Sequence, residues 1–160
     1  MAIDVNIVNP FINSVINAFE TMAYISPKRT NLSLKSDNKM LGDISGVMSL
    51  SGKGNGVVVI SFPEKLACQI FSNMINMKAD SPLDPAELND DVEDSIREIL
   101  NLVSGGAKSE FSNTELEFTI GIPSIVSGKN HKISRDPEVP CIVVNFEACG
   151  EKFELELSLS

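Results

Sequence analysis

The sequence predicts an α+β fold in which long helices pack on a largely antiparallel sheet. Apolar residues recur at helical spacing in three stretches, alternating segments are joined by glycine-containing turns, and the order helix, strand, hairpin occurs twice. With 160 residues and 42% hydrophobic content the chain suits one well-buried core. Residues 1–160 are therefore read as a single domain of duplicated helix–strand–hairpin units.

Asn9-Pro10 reads as a cap followed by a first-turn proline, and Phe11, Ile12, Val15, Ile16, Phe19 and Met22 continue at helical spacing. A first helix over Pro10–Met22 follows. After Ser26-Pro27, Asn31–Ser36 alternates as a short strand. Asp43–Leu50 and Gly56–Phe62 flank Gly52-Lys53-Gly54-Asn55, which marks a hairpin. Pro63-Glu64 opens a second helix through Leu66, Ala67, Ile70, Phe71 and Met74, ending near Asn76 or Met77.

Lys78–Pro85 is a connecting loop, and Asp84-Pro85-Ala86-Glu87 has the chemistry of a helix start. The third and longest helix is expected from there to about Phe111, with a break among Asp90, Asp91 and Glu93 left open. Glu115–Ile122 alternates until Pro123, a residue suited to a strand edge. Ser127–Pro140 is a polar loop holding the single histidine, His131. Cys141–Cys149 and Lys152–Leu159 form a last hairpin turning at Gly150-Glu151. The halves align with Asn13 against Asn101, Leu32-Ser33-Leu34 near Ile120-Gly121-Ile122, and the hairpin at Gly54 against that at Gly150.

Composition narrows the function classes. A formal charge of −9 with no basic stripe opposes nucleic-acid binding. No apolar run reaches the ~18 residues of a membrane span, and Met1–Asn9 lacks a secretory-signal layout, so a soluble cytoplasmic protein is expected. Cys68, Cys141 and Cys149 form no CxxC pair, which points to free thiols and not to a disulfide or zinc framework.

The most informative segment is the third helix. At ~100° per residue, Val92, Ile96, Ile99, Leu100, Val103, Ala107 and Phe111 share one arc. Asp94, Glu98, Asn101 and Gly105 lie opposite, in a polar strip about three turns long. That strip faces either plain solvent or a partner. Gly105-Gly106 costs helix propensity, about 1 kcal/mol per glycine. The bare backbone serves the close approach of a partner, or a kink or packing against the sheet.

The run Asp94-Ser-Ile-Arg-Glu98-Ile-Leu-Asn101, with Pro123 downstream, resembles the signature of CheX-type chemotaxis phosphatases in the CheC superfamily. The likeness extends to the first helix, the duplicated layout and the glycine pair. It implies hydrolysis of the phosphoaspartate of a response-regulator receiver domain. Asn101 would hold the attacking water and Glu98 would pair with the receiver's active-site lysine, while Asp94 and Gly105 would serve docking and clearance. The chain would bind no cofactor or metal of its own, since the receiver brings Mg²⁺. Where two-site relatives carry a second Glu-x-x-Asn, Pro10-Phe11-Ile12-Asn13 keeps only the asparagine. One site per chain and a homodimer, by resemblance to the CheX branch, are the expectations. The alternative is a non-catalytic regulator-binding adaptor of the flagellar-switch type.

Other motifs carry less. His131 has no ligand partner at useful spacing and reads as a solvated loop residue. Gly52-Lys53-Gly54-Asn55-Gly56 joins two strands, unlike a phosphate loop. Met40, Met48, Met74 and Met77 read as core filler.

Overall fold

The computed structural model describes residues 5–35, 42–52, 54–76, 88–112, 114, 118–129, 131–133 and 136–159. The element order is α1 (Val5–Ala18, continued by a π-helical turn Phe19–Ala23), β1 (Lys28–Leu34), β2 (Ile44–Gly52), β3 (Asn55–Phe62), α2 (Glu64–Asn76), α3 (Asp90–Phe111), β4 (Phe118–Ile120), β5 (Ser124–Ser127), β6 (Cys141–Ala148) and β7 (Glu151–Leu159). The strands form one sheet in the order β1-β6-β7-β3-β2-β4, with β5 also on β2. Every pairing is antiparallel.

The duplication is written into that order. When β1, β2 and β3 of the first half are matched to β4, β6 and β7 of the second, the sheet reads the same from either end, about an axis between β7 and β3. Each half lends its lone strand to the other half's hairpin. The central β3–β7 pair runs from Gly56 opposite Leu159 to Ser61 opposite Glu154.

The first helix begins earlier than its proline suggests. Pro10 lies inside α1, where it removes a backbone hydrogen bond and ordinarily costs ~3 kcal/mol. The turn before it buries Ile7 and Val8 in the same core as Phe11, Ile12 and Val15. Burial of those apolar side chains offsets the loss, which local capping chemistry could not foretell. At the other end Tyr24 closes the helix in the left-handed region (φ 56°), its N–H donating to the Phe19 carbonyl. The Asn73 amide donates to the Ala23 carbonyl at 2.8 Å and ties α2 to this corner.

Between helices and sheet lies an aromatic stack. Phe19 and Phe153 are parallel at 4.9 Å between ring centroids, and Phe153 stacks in turn on Phe146 at 5.0 Å. Phe62 leans on both Phe19 and Phe153. The last hairpin turns at Cys149 (φ 53°) and Gly150 (φ 73°), one residue before the expected place. Two left-handed residues match the twist of a two-residue hairpin.

Two further departures bear on the site. Residues 124–127, of which Ser127 was expected to open a loop and the others were given no element, form β5, which pairs Ile44–Val47 while β4 pairs Leu50–Gly52. Pro123, with no N–H to give, marks the break between them. His131, expected as a freely solvated loop residue, is half-buried and hydrogen-bonded. Its Nδ1 donates to the Gly128 carbonyl at 2.9 Å, and its Nε2 lies 2.6 Å from the Ser45 hydroxyl, pinning the loop to β2.

The sheet face away from the helices is polar yet covered. Glu154 and Glu156 are buried there in β7, and the Lys35 ammonium reaches both, at 3.1 and 2.7 Å. Burial, together with a hydrogen bond from Glu154, pushes the Glu156 carboxyl up to about 7 against the pull of Lys35. Burial works against the charge on Lys35, but the two glutamates outweigh it and hold its pKa above the ordinary lysine value. Residues 84–87 and 115–117, where a helix start and the beginning of a strand were expected, lie outside the described residues, as do Ser36, Met40 and Met77.

Candidate functional site

The site is built on α3, the longest helix. It starts at Asp90 and not near Pro85, because the Asn89 side chain accepts from the Val92 N–H at 2.9 Å and caps the helix there. Asp90, Asp91 and Glu93 occupy the first turn, where carboxylates suit the positive end of the helix dipole. The acidic residues therefore begin the helix and do not break it. The Ser127 hydroxyl donates to Glu93 at 2.6 Å, bracing this end against β5.

The buried face is the one the periodicity defines: Val92, Ile96, Ile99, Leu100, Val103, Ala107 and Phe111 are all buried. Leu100 sits over Gly46 of β2, where a Cβ would overlap its Cδ1. On one flank α1 packs closely, with Phe11 edge-on to Phe111 at 5.6 Å and Gly106 facing Ser14. A Cβ at Gly106 would come within 2.9 Å of the Ser14 hydroxyl oxygen.

Asp94, Glu98, Asn101 and Gly105 are all exposed. The glycine pair divides its roles. Gly106 answers to packing inside the protein, whereas nothing lies within 4 Å of a Cβ placed at Gly105. The helix thus has no internal reason for a glycine at that position. Asp94 is engaged: its carboxylate pairs with the Arg97 guanidinium at 2.7 Å. Arg97, which borders the strip, is a residue that the sequence alone did not single out, although its i to i+3 spacing from Asp94 was a usable signal.

Asn13, the first-half counterpart of Asn101, is exposed on α1, but its amide donates to the Glu110 carboxylate at 3.3 Å. Pro10, aligned with Glu98, occupies a mid-helical position as Glu98 does. The matching face of the first half therefore lacks the acid and ties up the amide. Of these two matching faces, only that of α3 offers an exposed acid and amide one turn apart, Glu98 and Asn101. Among the described residues, no helix is long and apolar enough to cross a membrane.

Fold and site together define a class: a pseudo-twofold α+β domain that exposes one polar helix face on a helix backed by the sheet and α1. Residues 44–147 match the family described as chemotaxis phosphatase CheX, and the chain belongs to that family. It is 25% identical over 156 residues to the CheY-P phosphatase CheX of Thermotoga maritima, covering 98% of this chain and 97% of that protein. The crystal structure of chemotaxis protein CheX from Vibrio vulnificus superposes with a TM-score of 0.85 at 33% identity, covering 96% of this chain and 99% of that one. The CheX–CheY–BeF₃–Mg²⁺ complex from Borrelia burgdorferi shares the fold, with a TM-score of 0.73 at 19% identity over 98% and 99% of the two chains.

Proposed function

We propose that this protein hydrolyses the phosphoaspartate of a response-regulator receiver domain, using the α3 strip. The observation that carries the reading is the exposure of Glu98 and Asn101 one turn apart on a helix fixed by its buried face. Neither side chain has a hydrogen-bond or ion-pair partner among the described residues. Family membership and the name of the Thermotoga relative support the substrate class.

An acyl phosphate is already labile, and Mg²⁺ and lysine of the receiver offset phosphoryl charge. Alignment of one water is the remaining task. Asn101 offers a donor and an acceptor to that water while staying neutral beside phosphate. The water oxygen bonds to phosphorus as the bond to the aspartyl oxygen breaks, giving free aspartate and inorganic phosphate. Glu98 forms a charge-assisted bond to the receiver lysine and sets register. Gly105 leaves room for the receiver surface, and Asp94 acts in docking. No cofactor is held by this chain, and the site operates in the cytoplasm, where its substrate is made.

The working form is a homodimer. β1 is an edge strand exposed along its whole length, and Leu32 and Leu34 on it are 46% and 73% exposed. A second copy pairing with that edge would cover both.

The test follows decay of phosphorylated regulators with the wild type, Glu98→Ala and Asn101→Ala. A loss of kcat of about 10²-fold or more in Asn101→Ala fits water positioning. Rates unchanged by both substitutions sink the assignment. Regulator binding with no acceleration of decay by the wild type marks an adaptor instead.

A further inference from the structure

We infer that Arg97 is a docking residue of the same site, held by Asp94 and aimed at an anionic oxygen of the phosphorylated regulator. The inference rests on the phosphatase reading above and names the group that meets the regulator's negative charge.

Charge raises the question. The first turns of α3 carry Asp90, Asp91, Glu93, Asp94 and Glu98, and the chain as a whole has a net charge of −9. A phosphorylated receiver brings a phosphoryl group and carboxylates to meet that surface. Like charges brought into contact are costly unless a cation intervenes. Before Lys108 near its C-terminus, α3 has one cation, Arg97. It lies next to Glu98 in sequence and one turn before Asn101, so it borders the strip that carries both proposed functional side chains.

Geometry shows how it is prepared. Arg97 Nη1 contacts Asp94 Oδ1 at 2.7 Å, and the two side chains are 42% and 70% exposed. An exposed ion pair of this kind contributes little to folding. It does fix a long side chain that would otherwise lose rotamer freedom only on binding. One guanidinium nitrogen is occupied, and the other donors have no partner among the described residues. A planar donor set left partly free suits a phosphoryl or carboxylate oxygen better than an ammonium would. Asp94 then acts through Arg97: it is the positioning residue, and Arg97 makes the contact.

The experiment measures steady-state dephosphorylation and direct binding for wild type, Arg97→Gln, Arg97→Lys and Asp94→Asn, with regulator in phosphorylated and unphosphorylated forms. Arg97→Gln is expected to raise KM about tenfold with kcat within about twofold, and to flatten the salt dependence of binding. Arg97→Lys should recover only part of the loss, and Asp94→Asn should raise KM less than Arg97→Gln does. Weakened binding of the phosphorylated form alone assigns the contact to the phosphoryl oxygen; equal weakening of both forms assigns it to a regulator carboxylate. A KM for Arg97→Gln within twofold of wild type, in a preparation where Asn101→Ala abolishes turnover, overturns this inference and leaves the phosphatase reading standing. Failure of the wild type to accelerate any regulator's decay overturns both.

Discussion

Leu100 of α3 rests on the bare backbone of Gly46 in β2, and this contact sets how closely the helix approaches the sheet. Asn101 is the next residue, so the same contact fixes the height of the proposed water-positioning amide. Replacing Gly46 with valine forces Leu100 and its helix outward. Overpacking of this kind costs about 1 to 3 kcal/mol. The melting temperature of Gly46→Val should fall, by about 2 to 4 °C per kcal/mol for a domain of this size. Regulator dephosphorylation at a temperature where the variant is fully folded should drop by about tenfold, since a shift of ~1 Å disturbs alignment. Full activity in a destabilised but folded variant would separate the helix height from the chemistry.

Gly105 and Gly106 should respond in opposite ways to added bulk. At Gly105 a Cβ meets nothing, so Gly105→Ala gains helix propensity of about 1 kcal/mol and should raise the melting temperature. If the regulator docks on the strip as proposed, the same variant should lose clearance, and Gly105→Leu should cut turnover further while remaining as stable as the wild type or more so. Gly106→Ala meets Ser14 instead, so its effect should appear in thermal melts, with turnover of the folded fraction kept. Equal activity for Gly105→Leu and wild type would remove Gly105 from the interface.

The β1 edge makes a separate prediction. Leu34→Asp adds charge where a second copy would pair and leaves the buried core untouched, because Leu34 is 73% exposed. Its sedimentation or light-scattering mass should fall to that of one chain while the circular dichroism spectrum stays the same. A mass unchanged from wild type would place any dimer contact elsewhere.

How much of this was legible depended on whether a feature is decided locally. The buried face and polar strip of α3 follow from spacing alone, because a long helix packed along one side keeps the same residues in the core over its whole length. The start of α3 was misplaced because Asp84-Pro85 and Asn89-Asp90 carry similar capping chemistry, and only the observed bond from Val92 to Asn89 distinguishes the second. Pro10 was placed at a helix start because proline belongs there locally, whereas burial of Ile7 and Val8 decided otherwise. β5 is four residues long and largely exposed, too short for alternation to register. The twofold order of the sheet was foreshadowed by the repeat, but the exchange of lone strands between halves is a long-range fact.

Glu156 makes the last prediction, and its sign is set by the far face of β7. Among the described residues, the groups around it include Lys35, with Nζ at 2.7 Å, the neighbouring Glu154, and Cys141, whose Sγ lies 3.8 Å from its Oε1. Its pKa rises from 4.5 in the unfolded chain to about 7 in the folded protein. Between those values the folded protein holds a proton that the unfolded chain has released. The contribution is therefore fully present below pH ~4.5, declines through the window and is gone above pH ~7, for a total on the order of 3 kcal/mol. Glu156→Gln keeps the shape of the protonated acid without its titration. Urea unfolding from pH 4.5 to 8 should show the stability of wild type relative to Glu156→Gln falling across that interval. Parallel curves would mean that Glu156 does not take up a proton on folding, and that Lys35 holds it ionised throughout.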